Sequence, residues 1–290
     1  MTLVRCPDPA AAAHWCAEAR ARGSALGFVP TMGALHEGHL SLVARARSEN
    51  ELVCVSVFVN PLQFDDPRDF ERYPRDLDAD ARLLERGGAA MVFGGTLAQF
   101  FPEVPPGGAV PRRAPGPSAR GLEGAFRPGH FAGVATICAR LFELVRPARA
   151  YFGAKDFQQC LVVEELAGEL GFPRIVVCRT SRDPDGLARS SRNQLLGPEE
   201  RAEALRLSRA LFAARAAWRA GERDAVALEG VLARELARGR LTKEYAVVRD
   251  PRALAEAPHG PLERARALIA ARVGRVRLID NLDLAGGDEA

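Results

Sequence analysis

The chain has 290 residues, of which 47% are apolar and 27% charged. These values describe a globular protein with one large or two modest domains, and they exclude an intrinsically disordered chain. The 40 basic residues against 37 acidic ones give a net charge of +3 without a blocky basic run, which favours small-molecule partners over nucleic acid or a membrane surface.

The first 178 residues alternate apolar, β-rich runs with helix-period segments. Strands are predicted at 25–29, 52–59, 90–93, 149–152 and 174–178, and helices at 40–47, 76–86, 134–145 and 157–170. The run 52–59 is apolar at nearly every position, as in a parallel sheet covered by helices on both faces. We therefore expect a Rossmann-like, doubly wound α/β domain over residues 1–179. The loops after Val29, Val59 and Phe152 should meet in one crevice at the carboxyl ends of the strands.

A Pro- and Gly-rich stretch over residues 102–121 interrupts this pattern and is interpreted as an excursion or lid. Beyond residue 178 the pattern changes. A polar loop at 180–193 precedes predicted helices at 198–220 and 224–238, and three strand-like runs follow at 245–249, 267–273 and 276–282. These elements predict a smaller α+β lid domain over residues 180–290.

The six cysteines show no CxxC or paired metal-ligand spacing, and several lie in apolar runs, so we expect reduced, buried thiols. No window approaches about 18 consecutive apolar residues, and the N-terminus lacks the pattern of an export signal. The sequence therefore predicts a cytoplasmic protein without membrane contact.

Residues 30–39 read PTMGALHEGH and lead from a predicted strand into a helix. His36 and His39 stand at that helix N-terminus, where free backbone N–H groups, the helix dipole and two imidazoles all attract an anion. Polyphosphate is the ligand that this pattern favours. A metal pair and ordinary helix-capping histidines remain alternatives, although the HExxH spacing of a zinc site and a third ligand are not apparent.

Three further segments carry side chains suited to a small acid and a nucleotide. Asn60 and Gln63 follow a strand, and neutral amides orient a carboxylate without the ion pair that would weaken it as a nucleophile; Gln159 would supply the opposite wall. Lys155 is one of only two lysines in the chain and would place a compact charge on phosphates. Residues 190–192, Ser-Ser-Arg, suit a mobile phosphate-binding loop. Solvated loop amides, a surface lysine and a solvated arginine cluster are the alternatives.

The segment 30–39 resembles the HxGH nucleotide signature of adenylate-forming α/β enzymes, and in full it resembles the pantoate–β-alanine ligase family. Further matches follow in order along nearly the whole chain: VFVNPLQF at 57–64, YPR at 73–75, RPGHF at 127–131, FGAKDFQQ at 152–159, DGL at 185–187, SSRN at 190–193 and LIDN at 278–281. The length and order of these matches identify the chain as similar to this family.

The resemblance implies an ATP site made by three segments. Its expected ATP-binding residues are Met32, Gly33, Ala34, Leu35, His36, Glu37, Gly38, His39, Gly153, Ala154, Lys155, Asp156, Ser181, Arg189, Ser190, Ser191 and Arg192. The residues expected to act in catalysis are His36, His39, Lys155, Ser190, Ser191 and Arg192, with the family's usual proton-donor role falling on His39. Gln63, Gln159 and Asn60 are expected to bind pantoate, and Gln63 also β-alanine.

Magnesium is expected to enter mainly on the ATP phosphates. Asp78 and Asp80 are candidate ligands through water, although carboxylates at the start of a helix are common in any protein. The resemblance also implies a homodimer with (R)-pantoate, β-alanine and ATP as substrates. His130 is interpreted as a structural or supporting residue.

Two positions depart from the family pattern. Ala154 stands where the family usually has Glu, which puts a peripheral contact in doubt. Arg189 stands where an apolar residue usually precedes the two serines. Its length and charge favour a guanidinium in solvent over a further phosphate contact.

The reaction implied is a condensation in two steps. The pantoate carboxylate attacks the α-phosphate of MgATP to give pantoyl adenylate and diphosphate, and the amine of β-alanine then displaces AMP to give pantothenate. A simple nucleotidylyltransferase and a non-catalytic nucleotide-binding module are the alternatives. An aminoacyl-tRNA synthetase is disfavoured by size and charge, and a dehydrogenase by the lack of a strand-GxGxxG-helix unit.

Overall fold

The computed structural model describes residues 2–286, and these residues fold into two compact units. The first unit comprises the described residues up to Gly153 together with Gln158–Cys178. The second unit comprises Ala154–Phe157 and the described residues from Arg179 onward.

The first unit is built on a parallel sheet of six strands in the order β1-β4-β3-β2-β5-β6. The strands are β1 (Val4–Cys6), β2 (Leu26–Thr31), β3 (Leu52–Val57), β4 (Met91–Phe93), β5 (Arg149–Gly153) and β6 (Arg174–Cys178). From β2 the chain first adds β3 on one side and later β5 on the other. The strand order therefore reverses beside β2, which is where parallel α/β sheets bind ligands.

Helices cover both faces of this sheet. The helices of the first unit are α1 (Pro9–Ala21), α2 (Glu37–Glu49), α3 (Pro67–Arg72), α4 (Leu77–Gly87), α5 (Leu97–Phe100), α6 (Leu122–Phe126), α7 (His130–Val145) and α8 (Phe157–Leu170). Phe28 of β2 packs in one hydrophobic cluster with α1, α7 and α8, and its neighbour Val29 packs in another with α2 and α4. Successive strand residues point to opposite faces, so the sheet is buried on both sides. The predicted doubly wound α/β class is confirmed.

Several element boundaries differ from those predicted. The elements β1 and α1 were not predicted, and neither were the short helices α3, α5 and α6. Helix α2 begins at Glu37, so His39 lies inside the helix and not before it. Strand β3 ends at Val57 because Asn60 caps a tight turn at Pro61–Gln63. Helix α7 begins at His130, directly after Gly129 in a left-handed conformation.

The second unit has two helices packed on a small sheet. Its elements are α9 (Pro198–Arg219), α10 (Ala225–Leu236), β7 (Thr242–Arg249), β8 (Arg266–Val273) and β9 (Val276–Asp283). The three strands are antiparallel in the order β7-β8-β9. Leu211 of α9 and Leu228 of α10 share one buried cluster with Ile269 of β8 and Leu282 of β9. The smaller α+β unit is thus as predicted.

The short segment Ala154–Phe157 groups with the second unit, although the sequence-based division placed it in the first domain. The cause is a set of contacts to strands of the second unit. Asn281 of β9 donates hydrogen bonds to the carbonyls of Ala154 and Lys155, each at 2.8 Å. The guanidinium of Arg266 lies 3.9 Å from the ring centroid of Phe157.

The Pro- and Gly-rich stretch 102–121 packs against helices of the first unit. The backbone N–H of Arg113 donates to Oγ1 of Thr136 on α7 at 2.8 Å. The hydroxyl of Ser118 donates to Glu165 on α8 at 2.7 Å. The stretch is therefore an excursion that is hydrogen-bonded to α7 and α8.

All six cysteines are free thiols; Cys16, Cys54, Cys138 and Cys160 are buried, and Cys6 and Cys178 are half-buried. The prediction of buried thiols is therefore confirmed for four of the six cysteines. Within residues 2–286, none of the helices has the length and apolar character needed to cross a membrane.

Candidate active site

Residues 30–39, called the histidine loop, run from the end of β2 into α2. Gly33 has φ of +84° and Ala34 has φ of +51°, so the backbone is left-handed at two consecutive residues. A Cβ atom at Gly33 would lie 2.9 Å from Oδ2 of Asp80 and 3.0 Å from Cγ1 of Val57. Glycine is therefore required at position 33. The bend directs the backbone N–H groups of Ala34 and Leu35 towards α4.

Asp80 of α4 anchors the histidine loop. Its Oδ2 accepts the backbone N–H of Ala34 at 3.0 Å, and its Oδ1 accepts that of Leu35 at 2.8 Å. The side chain is only 3% exposed, and this burial raises its pKa while the two hydrogen bonds oppose the rise. From the sequence, Asp80 was a candidate magnesium ligand through water or an ordinary carboxylate at the start of a helix. Its position on the buried face of α4, beside Ala81 and Leu84, was the signal for this anchoring role.

The two histidines stand together at the N-terminus of α2. Nδ1 of His36 accepts the backbone N–H of Gly38 at 3.1 Å, and Nδ1 of His39 accepts that of His36 at 3.3 Å. With both Nδ1 atoms accepting, each neutral ring carries its proton on Nε2. The ring centroids are 4.2 Å apart. The histidines therefore cap the helix and also line a helix N-terminus whose dipole favours an anion.

Asn60 and Gln63, called the amide pair, follow β3 and are both buried, so they are not solvated loop amides. Nδ2 of Asn60 donates to Oε1 of Gln63 at 3.1 Å and to the carbonyl of Gly133 at 3.2 Å. Nε2 of Gln63 donates to Sδ of Met32 at 2.8 Å. The structure thus brings the amide pair and the histidine loop together within the first unit.

The start of α7 holds the backbone of Gln63 in place. The Gln63 carbonyl accepts from Nδ1 of His130 at 2.8 Å and from Arg127 at 3.1 Å. Arg127 also donates to Nε2 of His130 at 3.2 Å, which leaves the proton of the neutral ring on Nδ1. His130 therefore supports the backbone of Gln63, in line with its predicted structural or supporting role. Gly133 approaches so closely that a Cβ there would overlap the carbonyl group of Leu62.

Gln159 lies half-buried in the first turn of α8. Its neighbour Gln158, which was not among the predicted site residues, is buried. Oε1 of Gln158 accepts from the backbone of Glu123 at 2.9 Å, and its Nε2 donates to the carbonyls of Ser118 and Arg120. Gln158 therefore has a structural role, and the substrate role of Gln159 stays a prediction.

The segment Ala154–Phe157 of the second unit, called the lysine segment, directly follows Gly153 of β5. Nζ of Lys155 lies 3.5 Å from Oδ1 of Asp156, and the Lys155 side chain is 19% exposed. Lys155 is therefore not an ordinary surface lysine. Ala154 is buried, so this position holds a small apolar side chain without a charge.

Residues 180–193, called the serine loop, also belong to the second unit and are ordered by their own hydrogen bonds. Arg182 and Ala188 form an antiparallel bridge, and the N–H of Arg189 donates to the carbonyl of Ser181 at 2.9 Å. Ser190 then caps the short turn that begins at buried Ser191, accepting the N–H of Arg192 at 3.3 Å. The loop thus presents its two serines from a defined backbone.

Arg189 differs from expectation. Its Nε lies 3.0 Å from Oδ1 of Asp183, and the Arg189 side chain is 24% exposed. The other oxygen of Asp183 accepts from Arg201 at 2.8 Å. The predicted placement in solvent is wrong because Asp183 offers a carboxylate within reach. Any phosphate contact by Arg189 would compete with this ion pair.

The candidate magnesium ligands have other partners. Asp78 is exposed and accepts from Arg5 at 2.8 Å, and both oxygens of Asp80 accept backbone N–H groups. Among residues 2–286, His, Cys, Asp and Glu side chains form no group of three or more that could hold a metal ion.

Comparison with known proteins identifies the family of this chain. A family model described as pantoate-beta-alanine ligase matches residues 6–283. A pantothenate synthetase from Gluconobacter oxydans is 49% identical over 262 residues, which cover 89% of this chain and 93% of the relative. Another, from Thermus thermophilus, is 48% identical over 260 residues with the same two coverages.

Solved structures extend the similarity to the fold. The crystal structure of pantothenate synthetase from Thermus thermophilus has a TM-score of 0.86 at 44% identity, covering 98% of this chain and 99% of that one. The pantoate-beta-alanine ligase from Francisella tularensis, complexed with beta-gamma ATP and beta-alanine, has a TM-score of 0.79 at 30% identity and covers 99% of both chains.

Proposed function

This chain belongs to the pantoate-β-alanine ligase family, and we propose that it joins (R)-pantoate to β-alanine while converting MgATP into AMP and diphosphate. One observation carries the proposal for these residues: Nε2 of Gln63 donates to Sδ of Met32 at 2.8 Å. An amide suited to a small carboxylate thus stands beside the loop suited to nucleotide phosphates. That combination serves an enzyme that adenylates an acid.

In the first step, a carboxylate oxygen of pantoate attacks the α-phosphorus of ATP, and diphosphate leaves with the electrons of the broken P–O bond. The neutral amides of Asn60 and Gln63 orient the carboxylate without quenching its negative charge. His36 and His39, at the N-terminus of α2, stabilise charge on the phosphates through their Nε2–H groups and the helix dipole. Positioning and electrostatics supply the rate.

We assign the remaining phosphate contacts of this step to the second unit. Lys155 carries a compact positive charge, and Ser190, Ser191 and Arg192 follow the charge that moves onto the departing diphosphate. The support for this is that Ser191 is buried in a capped turn and Lys155 is largely shielded. We propose the first unit as the pantoate-binding and main nucleotide-binding domain, and the second unit, which includes Ala154–Phe157, as a smaller lid domain.

In the second step, the β-alanine amine attacks the acyl carbon of pantoyl adenylate, and the acyl C–O bond to AMP breaks. The amine loses a proton as the amide forms, and the AMP phosphate leaves as a stabilised anion. Activation is needed because a free carboxylate is a poor acyl donor. Gln63 contacts both substrates in this proposal, and Gln159 forms the opposite wall of the pantoate site.

We further propose that magnesium enters with ATP, that the enzyme is a homodimer, and that it works in the cytoplasm. The metal proposal is supported by the hydrogen bonds that occupy Asp80 and the ion pair that occupies Asp78. The free state of all six cysteines is compatible with a reducing compartment. The homodimer follows from the family resemblance.

Product analysis with ATP, pantoate and β-alanine, omitting each in turn, tests the proposal. Pantothenate and AMP should form in equal amounts, and only when all three substrates are present. A simple nucleotidylyltransferase would release diphosphate without ever forming the amide. A binding module would consume no ATP. Either result would contradict the proposed function.

A further inference from the structure

The LIDN motif at residues 278–281 has no role in the mechanism so far, yet it carries two buried polar residues in succession on β9. Asp280 and Asn281 are each only 3% exposed. Successive residues of a strand point to opposite faces, so the two side chains meet different parts of the second unit. Burial of a polar side chain is unfavourable unless its hydrogen bonds are satisfied. Both side chains have hydrogen-bond partners within the second unit.

Asn281 holds the lysine segment. Its Nδ2 donates to the carbonyls of Ala154 and Lys155, each at 2.8 Å, so both amide protons are used on the backbone that carries the Lys155 side chain. Its Oδ1 accepts from Arg266 at 2.6 Å. The carboxamide is thus fully engaged, and it fixes the backbone of Lys155 relative to β9.

Asp280 holds the serine loop. Its two oxygens accept from the two terminal nitrogens of Arg182 at 2.7 and 2.9 Å, in the paired geometry that is strongest for arginine and carboxylate. Arg182 also donates to the carbonyl of Gly186 at 3.2 Å and bridges to Ala188, two residues before Ser190. Asp280 therefore fixes the base of the loop that presents the serines.

We propose that Asp280 and Asn281 are positioning residues for ATP, with one strand setting the place of both Lys155 and the serine loop. This inference rests on the proposed function, because it assigns those two segments to the nucleotide phosphates. Asp280 and Asn281 act through the segments that they hold and have no substrate contact of their own. The adenylation step should therefore respond to them, and the amide-forming step should respond far less.

Asn281→Asp gives the sharpest test of the lysine segment. The substitution keeps the shape and the acceptor for Arg266 but replaces the donor to the two backbone carbonyls by a carboxylate oxygen. We expect pantoate-dependent ATP–diphosphate exchange to fall at least about tenfold, since misplacement of a catalytic group by about 1 Å can cost 10²-fold. Reaction of pre-formed pantoyl adenylate with β-alanine should change less than about threefold. Asn281→Ala, which adds no charge, is the second variant should the first not fold.

A double-mutant cycle separates positioning from general destabilisation. In a Lys155→Ala background, the further change Asn281→Asp should lower exchange less than about threefold, because the group that it positions is gone. Asp280→Asn should likewise lose most of its effect in a Ser190→Ala background. Glu229→Gln is the matched control. It weakens hydrogen bonds to Val248 and Arg249 within the same unit and should leave exchange unchanged.

The outcomes are distinct. Full additivity of Asn281→Asp with Lys155→Ala, or an equal loss in both half-reactions, would overturn the positioning role. A loss of exchange in Glu229→Gln as large as that in Asn281→Asp would also overturn it, since stability of the unit would then explain the effect. Wild-type protein that forms no pantoyl adenylate would refute the proposed function, and this inference with it.

Discussion

Gly133 of α7 offers a test of the amide pair that leaves the functional side chains unchanged. A Cβ added there would overlap the carbonyl group of Leu62 and lie 2.8 Å from the backbone nitrogen of Gln63. Ordinary contact begins near 3.4 Å, so Gly133→Ala forces the backbone of Leu62 and Gln63 away from α7 by about 1 Å. The same shift disturbs the hydrogen bond that Nδ2 of Asn60 donates to the Gly133 carbonyl.

Gly133→Ala should also lower stability, because the atoms that its Cβ would meet belong to the backbone of Leu62 and Gln63, which cannot move aside as readily as the end of a flexible side chain. Alanine in a helix interior gains about 1 kcal/mol over glycine, and overpacking costs about 1–3 kcal/mol. The net loss should therefore reach about 2 kcal/mol or more, a large part of the about 5–15 kcal/mol by which a typical domain is stable. The loss of activity should be large, because a shift of about 1 Å in a positioning group can lower the rate 10²-fold. We expect kcat/KM for pantoate to fall on the order of 10²-fold while ATP affinity stays within about threefold.

Steady-state kinetics with varied pantoate and calorimetric titration with ATP measure the two effects separately. Gly168→Ala is the matched control. Gly168 lies in α8 of the same unit, and a Cβ there meets nothing within 4 Å, so this variant should keep full activity. A folded Gly133→Ala protein with unchanged kcat/KM for pantoate would refute the assignment of Asn60 and Gln63 to the substrate.

His39→Ala and Lys155→Ala should each slow single-turnover formation of pantoyl adenylate on the order of 10²-fold by removing one preorganised stabiliser; near-normal rates would remove them from the phosphate site. Gln63→Ala and Gln159→Ala should weaken pantoate binding far more than ATP binding in calorimetry, and an equal loss of ATP affinity would place them on the nucleotide. Burial raises the pKa of Asp80, so the folded protein binds the Asp80 proton more tightly than the unfolded chain does. The contribution of Asp80 to the free energy of unfolding therefore falls as the pH rises through that pKa. Asp80→Asn should therefore keep Tm at pH 8 within about 4 °C yet slow adenylation at least about tenfold, because an amide NH2 replaces one acceptor; a normal rate would contradict the anchoring role.

The main elements of the fold could be predicted because their apolar pattern is strong. Most of the run 52–59 forms β3, which is covered on both faces, and α8 occupies the predicted range. Helix α1 was missed because its alanine-rich sequence has almost no apolar periodicity. Its start was nevertheless encoded, since Asp8 caps it with Pro9 in the first turn. Strand β1, at Val4–Cys6, is too short to show a pattern.

The site was predictable where a local motif carried it and not where tertiary contacts did. The histidine loop shows its glycines and histidines within ten residues of sequence. Asp80, by contrast, is separated from Leu35 by 45 residues, and Asn281 from Ala154 by 127, so only the fold brings them together. Arg189 was misplaced for the same kind of reason. Its partner Asp183 comes within reach because the serine loop folds back on itself.

ATP–diphosphate exchange with pantoate as the only other substrate is the most direct test that the chain activates pantoate as an adenylate. Labelled diphosphate should enter ATP in the presence of pantoate and MgATP, without β-alanine, and the exchange should disappear when pantoate is left out. Exchange that strictly requires β-alanine would contradict an adenylate formed before the amine reacts, and with it the roles given to the histidine loop and the amide pair.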